Sequence, residues 1–419
     1  MRVLMISWEF PPRNIGGLAR HVWHLSRALV RKGIQVDVLT VGEESATQWR
    51  ADGVMVHRAA PYRLNPPEFV PWVLQLNVSL LERAMGLTHR SGVDIIHCHD
   101  WLGAPAARAL KHARRVPLVA TIHATEHGRH QGLHNAWQRY IGEVEWWLTY
   151  ESWKVICCSE YMRHELREVL QLPADKIRVV RNGVDPSEFE LRASDRKREE
   201  FAHKSEQMVF FVGRLVPEKG VQVLLDAVPE VRRVKPLTRF IIAGTGPSES
   251  WLKAKAAQVG GPECVTFTGY IDDTLRNLLY SWADVAVFPS TYEPFGLVAL
   301  EAMAAKCPVV VSGCGGLAET VNHGVDGLKC RPGDPHSLAS EILHILCDPA
   351  YASYLKENAY RKVLREYAWD GVAEETAEVY ATVLEEYRRS RWGEASGGRP
   401  GFPVLRNLSF FDRGGYART

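Results

Sequence analysis

Short, β-branched apolar runs alternate with amphipathic stretches over most of this 419-residue chain, and that alternation dictates parallel sheets with crossover helices. In the first half the pattern predicts strands at 3–7, 36–41, 54–57, 94–97, 117–123, 155–158 and 177–180. Leu18, Val22, Leu25 and Leu29 then share one helical face, and Gly33 closes that helix. The rhythm breaks once, in a polar stretch between residues 182 and 207. It resumes with runs at 208–212, 239–243, 265–268, 285–288 and 309–311. A chain this long exceeds what one hydrophobic core supports, so two similar α/β halves are expected on either side of the break. Open α/β sheets bind ligands at the carboxyl ends of their strands, and candidate site residues should stand just after strands.

They do. The run PSTYEPFGLVALE, residues 289–301, places Glu293 and Glu301 eight positions apart across a strand-to-helix junction. A helix starting near Gly296 offers unpaired N–H groups to a sugar hydroxyl or phosphate oxygen at Pro294-Phe295-Gly296-Leu297. The acids then sit at two depths, where carboxylates accept from hydroxyl groups. The same spacing also fits a capping acid followed by a surface acid. After the run at 208–212 comes GRLVPEKG, with Arg214 and Lys219 in a loop bounded by Gly213 and Gly220. A planar fork and a mobile point charge at a strand end suit a leaving phosphate, although they also read as plain loop cations. Gly16 and Gly17 open the first helix and permit close approach to a diphosphate, or serve as a tight turn. Gly244-Thr245-Gly246 and Gly315-Gly316-Leu317 offer further such turns. In the first half Asp100 and Trp101 follow one strand and His123 ends another; each also reads as a satisfied structural residue.

Composition excludes other classes. A net charge of +2 leaves no whole-chain footprint for nucleic acid. Apolar stretches are interrupted too often for a membrane span, and the N-terminus runs into a strand without a signal-like core. Eight cysteines without C-x-x-C pairs favour a reducing cytoplasm. Neither a D-x-D near a strand end nor a His/Asp/Glu set at ligand spacing appears, so no metal and no cofactor is expected. The G-x-G-x-x-G fingerprint of dinucleotide oxidoreductases is absent. Trp137, Trp146, Trp147 and Trp153 are read as core packing rather than a sugar-stacking face.

The ordered set Gly16-Gly17, His99-Asp100-Trp101, Thr121-Ile122-His123, Gly213-Arg214-Leu215…Lys219-Gly220, Gly244-Thr245-Gly246-Pro247, Glu293-Pro294-Phe295-Gly296-Leu297…Glu301 and Gly315-Gly316-Leu317 closely resembles retaining glycosyltransferases of family four and the related glycogen and starch synthases. The resemblance implies the α/β GT-B fold: two Rossmann-like parallel-sheet domains around a cleft, with a C-terminal helix crossing back to the first. The domains would span 1–185 (acceptor side) and 186–366 (nucleotide-sugar side), with a crossover helix at 367–389; the aperiodic Gly-, Arg- and Pro-rich tail at 390–419 reads as a mobile extension that docks locally through Phe402 or Phe410.

By the same resemblance Arg214 and Lys219 would bind the donor diphosphate and Glu301 the ribose. Glu293 would hold the transferred sugar with the Phe295, Gly296 and Leu297 backbone, Gly17 the distal phosphate, and His123 and Asp100 the sugar and acceptor side. It further implies transfer of a hexosyl group, glucose favoured, from a nucleoside diphosphate to a carbohydrate or other hydroxyl acceptor. Peripheral membrane contact is expected only for a lipid-linked acceptor. Leu102 and Arg13-Asn14-Ile15 depart from the synthases, which carry His and Lys there, and this turns the reading away from polymer synthesis. The rivals are α-1,4-glucan elongation, a sugar-nucleotide epimerase, and a non-catalytic nucleotide-sugar-binding protein.

Overall fold

A computed structural model describes residues 1–13, 16–43, 48–62, 66–90, 92–190, 196–390 and 392. Eight strands form the first sheet: β1 (Arg2–Ile6), β2 (Gln35–Val41), β3 (Gln48–Ala51), β4 (Val54–Ala59), β5 (Ile95–His99), β6 (Leu118–Ile122), β7 (Lys154–Cys157) and β8 (Ile177–Val179). Their spatial order is β3-β4-β2-β1-β5-β6-β7-β8. Six more form the second: β9 (Gln207–Val212), β10 (Thr238–Ala243), β11 (Val265–Gly269), β12 (Val285–Phe288), β13 (Val309–Ser312) and β14 (Leu328–Cys330), ordered β11-β10-β9-β12-β13-β14. All pairings are parallel except β3 with β4.

The sequence explains this architecture. β1 and β5 are buried on both faces, as are β12 and β13, so their continuous apolar runs suit central parallel strands covered by helices above and below. In each sheet the strand order reverses beside the first strand, between β1 and β5 and between β9 and β12. A crevice opens at such a switch point, beyond the carboxyl ends of the two strands.

The last helix, Trp369–Arg389, belongs in space to the first lobe. Val372, Val379, Tyr380 and Val383 join the apolar cluster of Val22, Leu25 and Leu29 from helix Gly17–Arg31. Tyr380 Oη lies 2.7 Å from His97 Nδ1, and Arg31 pairs with Asp370 at 2.7 Å.

Two details differ from the sequence reading. β3 and β14 were not expected; β3 is an antiparallel edge strand and β14 only three residues long, so neither carries a strong periodic signal. Trp137 and Trp146 are about half exposed, at 46% and 48%, so core packing does not account for them. Nine residues apart on helix Ala136–Glu151, they point to opposite sides and form no shared platform. Phe402 and Phe410 lie outside the described residues. Among the described residues no helix is long and apolar enough to cross a membrane.

Candidate functional site

The loops after β9 and β12, at the second switch point, carry the charged residues. Thr291 N–H donates to Glu218 O at 2.8 Å and ties the two loops together. Lys219 ends the short turn Pro217–Lys219, and its Nζ meets Glu293 Oε2 at 2.6 Å. Glu293 is buried, and Ser290 Oγ stands 3.5 Å from the same carboxylate oxygen. Arg214 is half exposed and pairs with Glu218 at 3.6 Å rather than with Glu293. The Gly213 N–H donates to Ala243 O, and Gly244 packs against the Gly213 carbonyl so closely that a Cβ would come within 1.8 Å of that oxygen. Gly244 is therefore required by loop-on-loop contact, whatever else it meets.

Gly296 caps helix Leu297–Ala304 in the left-handed region, φ +96°, and no side chain caps that start. The first amides of the helix are thus free of side-chain competitors, the arrangement that favours an oxygen-rich ligand. Phe295 is buried below the turn. One turn further, buried Glu301 lies 3.4 Å from Tyr280 Oη and 3.8 Å from Arg276 Nε. Its main partner comes from the other lobe: Arg20, on helix Gly17–Arg31, pairs with both Glu301 and Asp273. That pairing raises the Arg20 guanidinium above its usual range against the opposing pull of burial.

Opposite stands the first switch point. Gly16 N–H donates to Glu9 Oε2 at 3.0 Å. A Cβ on Gly17 would lie 2.9 Å from Leu297 Cδ1, so the starts of helices Gly17–Arg31 and Leu297–Ala304 face each other. Asp100, just beyond β5, accepts the His123 N–H at 2.7 Å. Burial pushes its carboxyl up to about 6, with Arg129 and the backbone N–H groups of His123 and Ala124 pulling the other way. His123, just beyond β6, is lowered to about 3 by burial and by Arg129. Its Nε2 lies 3.2 Å from His99 Nδ1, and its ring centroid 4.6 Å from that of His21. Burial, first of all, drives His21, His97 and His99 well below the ordinary imidazole range, so this is a nest of neutral rings.

Thus Lys219 meets Glu293, Asp100 meets His123, and Gly17 meets Leu297 across the cleft. Sequence reasoning missed Arg20, 281 positions from Glu301, along with His21, Arg129 and Tyr292. Tyr292 reaches into the first lobe, its hydroxyl 3.0 Å from Glu165 Oε1 and packed on Gly128. Two further contacts bridge the lobes: Ser159 Oγ donates to Pro294 O at 2.6 Å, and Glu319 accepts from the Glu160 and Tyr161 amides. No local spacing announces such contacts.

Comparisons with known proteins identify the family. Residues 15–188 match the family described as Glycosyltransferase Family 4, and residues 193–362 match Glycosyl transferases group 1. A glycogen synthase of Mycobacterium tuberculosis is 41% identical over 93% of this chain and 96% of its own. A sucrose-phosphate synthase from Thermosynechococcus elongatus superposes with a TM-score of 0.80 at 25% identity, covering 92% of this chain and 100% of that one. The catalytic domain of starch synthase IV from Arabidopsis thaliana, bound to ADP and acarbose, gives 0.74 at 19% identity over 92% and 99%. The chain belongs to the family-4 glycosyltransferases, with the GT-B fold and close to the glycogen and starch synthases.

Proposed function

We propose that the chain is a retaining, metal-independent glycosyltransferase that moves a hexosyl group, with glucose preferred, from a nucleoside-diphosphate sugar to an acceptor hydroxyl. The observation that carries the reading is the Lys219–Glu293 pair of 2.6 Å beside Arg214, at the switch point of the second sheet and across the cleft from Asp100 and His123. Lys219 and Arg214 bind the diphosphate, Glu293 and the Phe295-Gly296-Leu297 backbone orient the sugar, and Glu301 receives the ribose once Arg20 releases it. The Gly17 backbone meets the distal phosphate, with Gly16, Gly213 and Gly244 shaping the loops around it.

The bond broken joins the anomeric carbon to the leaving phosphate oxygen, and the bond formed joins that carbon to the acceptor oxygen on the same face. The acceptor proton passes to the departing phosphate. Charge grows on that phosphate in the transition state, so cations fixed beforehand lower the barrier without a divalent ion. His123, held neutral, and Asp100 line the acceptor side. All eight cysteines are free thiols, which supports a reducing, cytoplasmic setting. The glycogen synthase relative favours glucose, and the ADP bound to the starch synthase favours a nucleoside-diphosphate donor.

Incubation with UDP-glucose and ADP-glucose in the presence of a chelator, with the product's anomeric configuration read by NMR, tests the reading. Transfer with retention is expected. A new nucleotide sugar formed without acceptor would instead mark an epimerase, and no turnover of any donor a binding protein.

α-1,4-Glucan elongation is a second reading. It is favoured by the stacked, exposed Trp146–Tyr150 pair, ring centroids 5.5 Å apart, with Trp146 lining a cavity of about 230 Å³ together with Arg139 and Leu133. A ladder of lengthening products from a short maltooligosaccharide primer would establish it; a single addition would exclude it.

A further inference from the structure

We propose that His21, His99 and His123 form a binding site for one divalent transition-metal ion of the zinc class. One ring nitrogen from each of the three lies within 4.8 Å of the other two. Two imidazoles on one tetrahedral zinc, each at 2.0–2.1 Å, have nitrogens about 3.3 Å apart. His99 Nδ1 and His123 Nε2 already stand at 3.2 Å. Only the third ring has to close, and three imidazoles leave the fourth position of a tetrahedron to water.

Hydrogen bonding orients the third ring for this task. His21 Nδ1 lies 2.8 Å from Asn182 Oδ1. A carbonyl oxygen only accepts, so Nδ1 carries the ring proton and Nε2 keeps its lone pair. That Nε2 is buried and has no hydrogen-bond partner. An outer partner that fixes the tautomer while the other nitrogen points at an ion is the usual support for a metal-binding histidine. His97 next door differs, since both of its nitrogens are engaged, by Tyr380 Oη and Thr121 Oγ1 at 2.7 Å each.

The supports are rigid. His99 ends β5, His123 follows β6, and the register pairs His99 with Thr121. His21 projects from helix Gly17–Arg31 and Asn182 follows β8. His99 and His21 sit on regular elements, which hold geometry better than loops, and His123 is one residue beyond its strand. His123, the partly exposed member, gives the ion its way in. Neutral imidazole ligands select zinc, copper or nickel over magnesium or calcium. The site belongs to the first lobe and is separate from the phosphate-binding cations, but it shares His123 with the acceptor side of the proposed transfer site, where a bound ion would compete with the sugar.

As a purely hydrogen-bonded network the cluster is incomplete. His99 Nε2 is also buried without a partner, and the His21 lone pair meets nothing.

The test is titration of chelator-treated protein with cobalt(II) chloride, which gives intense visible absorption only when cobalt is four- or five-coordinate. One ion per chain is expected, displaced by zinc chloride, and zinc alone raises the melting temperature by mass action. Exposed His336→Ala should bind as the unaltered chain does. His21→Ala and His99→Ala should lose the bands. Because both residues are buried, His123→Asn, with circular dichroism to show that it folds, provides the deciding variant. Absence of the bands in the unaltered chain, or their survival in folded His123→Asn, would overturn the proposal.

Discussion

The two faces of the cleft solve the same problem with opposite electrostatics. The second lobe meets it with ion pairs near solvent, Lys219 with Glu293 and Arg214 with Glu218. The first presents a buried group of neutral imidazoles beside Asp100, whose carboxyl is raised toward neutrality. Under the proposed transfer, the charged face would stabilise the charge that grows on the leaving phosphate. The other keeps its imidazoles neutral and sets the Arg129 guanidinium beside Asp100. The division follows from topology, since each lobe brings its own switch point to the cleft.

The largest expected effect falls on the charged face. Arg214→Ala and Lys219→Ala should each reduce turnover on the order of 100- to 1000-fold, read by steady-state kinetics. Arg214→Ala should leave the melting temperature nearly unchanged, because its side chain is half exposed. Near-normal turnover in both variants would erase the contrast between the faces.

Next in size is a pH dependence set by the neutral face. His21, His97, His99 and His123 are depressed from 6.5, so below that pH the unfolded chain binds protons that the folded chain refuses. Stability is then lost as pH falls, by about 1.4 kcal/mol per unit for each such ring. Asp100, raised to about 6, and Glu145, raised to about 8, act in reverse, since their folded forms keep protons that the unfolded chain releases. Between pH 8 and 6.5 the raised acids act, Glu145 first and then Glu188, which burial raises to about 7; below that range five depressed rings, His24 among them at about 4, outweigh the three acids. Urea unfolding across pH 5 to 8 should therefore show maximal stability near pH 6.5. A profile that keeps rising down to pH 5 would mean that the imidazoles are not buried neutral.

Glu145→Gln sharpens the same point with a smaller shift. It should raise the melting temperature at pH 8, where a buried carboxylate is costly, and have little effect at pH 5. The smallest effect concerns the contacts between the faces. Arg20→Ala removes two ion pairs across the cleft, both with partly exposed members, and should widen the molecule slightly in small-angle scattering.

How much the sequence revealed divides along the same line. Glu293, Gly296 and Glu301, and Arg214 with Lys219, lie within single strand-to-helix connections, where spacing alone predicts a shared face. The fold was legible for a related reason, because parallel strands buried on both sides must be continuous apolar runs. The first lobe's cluster is different: His21, His99, His123 and Asn182 come from helix Gly17–Arg31, the end of β5 and the segments after β6 and β8, and their convergence depends on strand order that no local pattern encodes. Arg20 was hidden similarly, as a helical cation whose acid stands in the other lobe. Trp146 misled because a tryptophan's bulk suggests core, while helix phase decides which way it points.

The most direct measurement of the central claim is calorimetric binding of UDP and ADP against uridine and adenosine. Charge-assisted contacts from Arg214 and Lys219 to the diphosphate should give the unaltered chain a preference of roughly 10-fold or more for the better diphosphate over its nucleoside. In the Arg214→Ala/Lys219→Ala double variant that preference should collapse while nucleoside affinity persists. An undiminished preference in the double variant would place the diphosphate elsewhere and contradict the account.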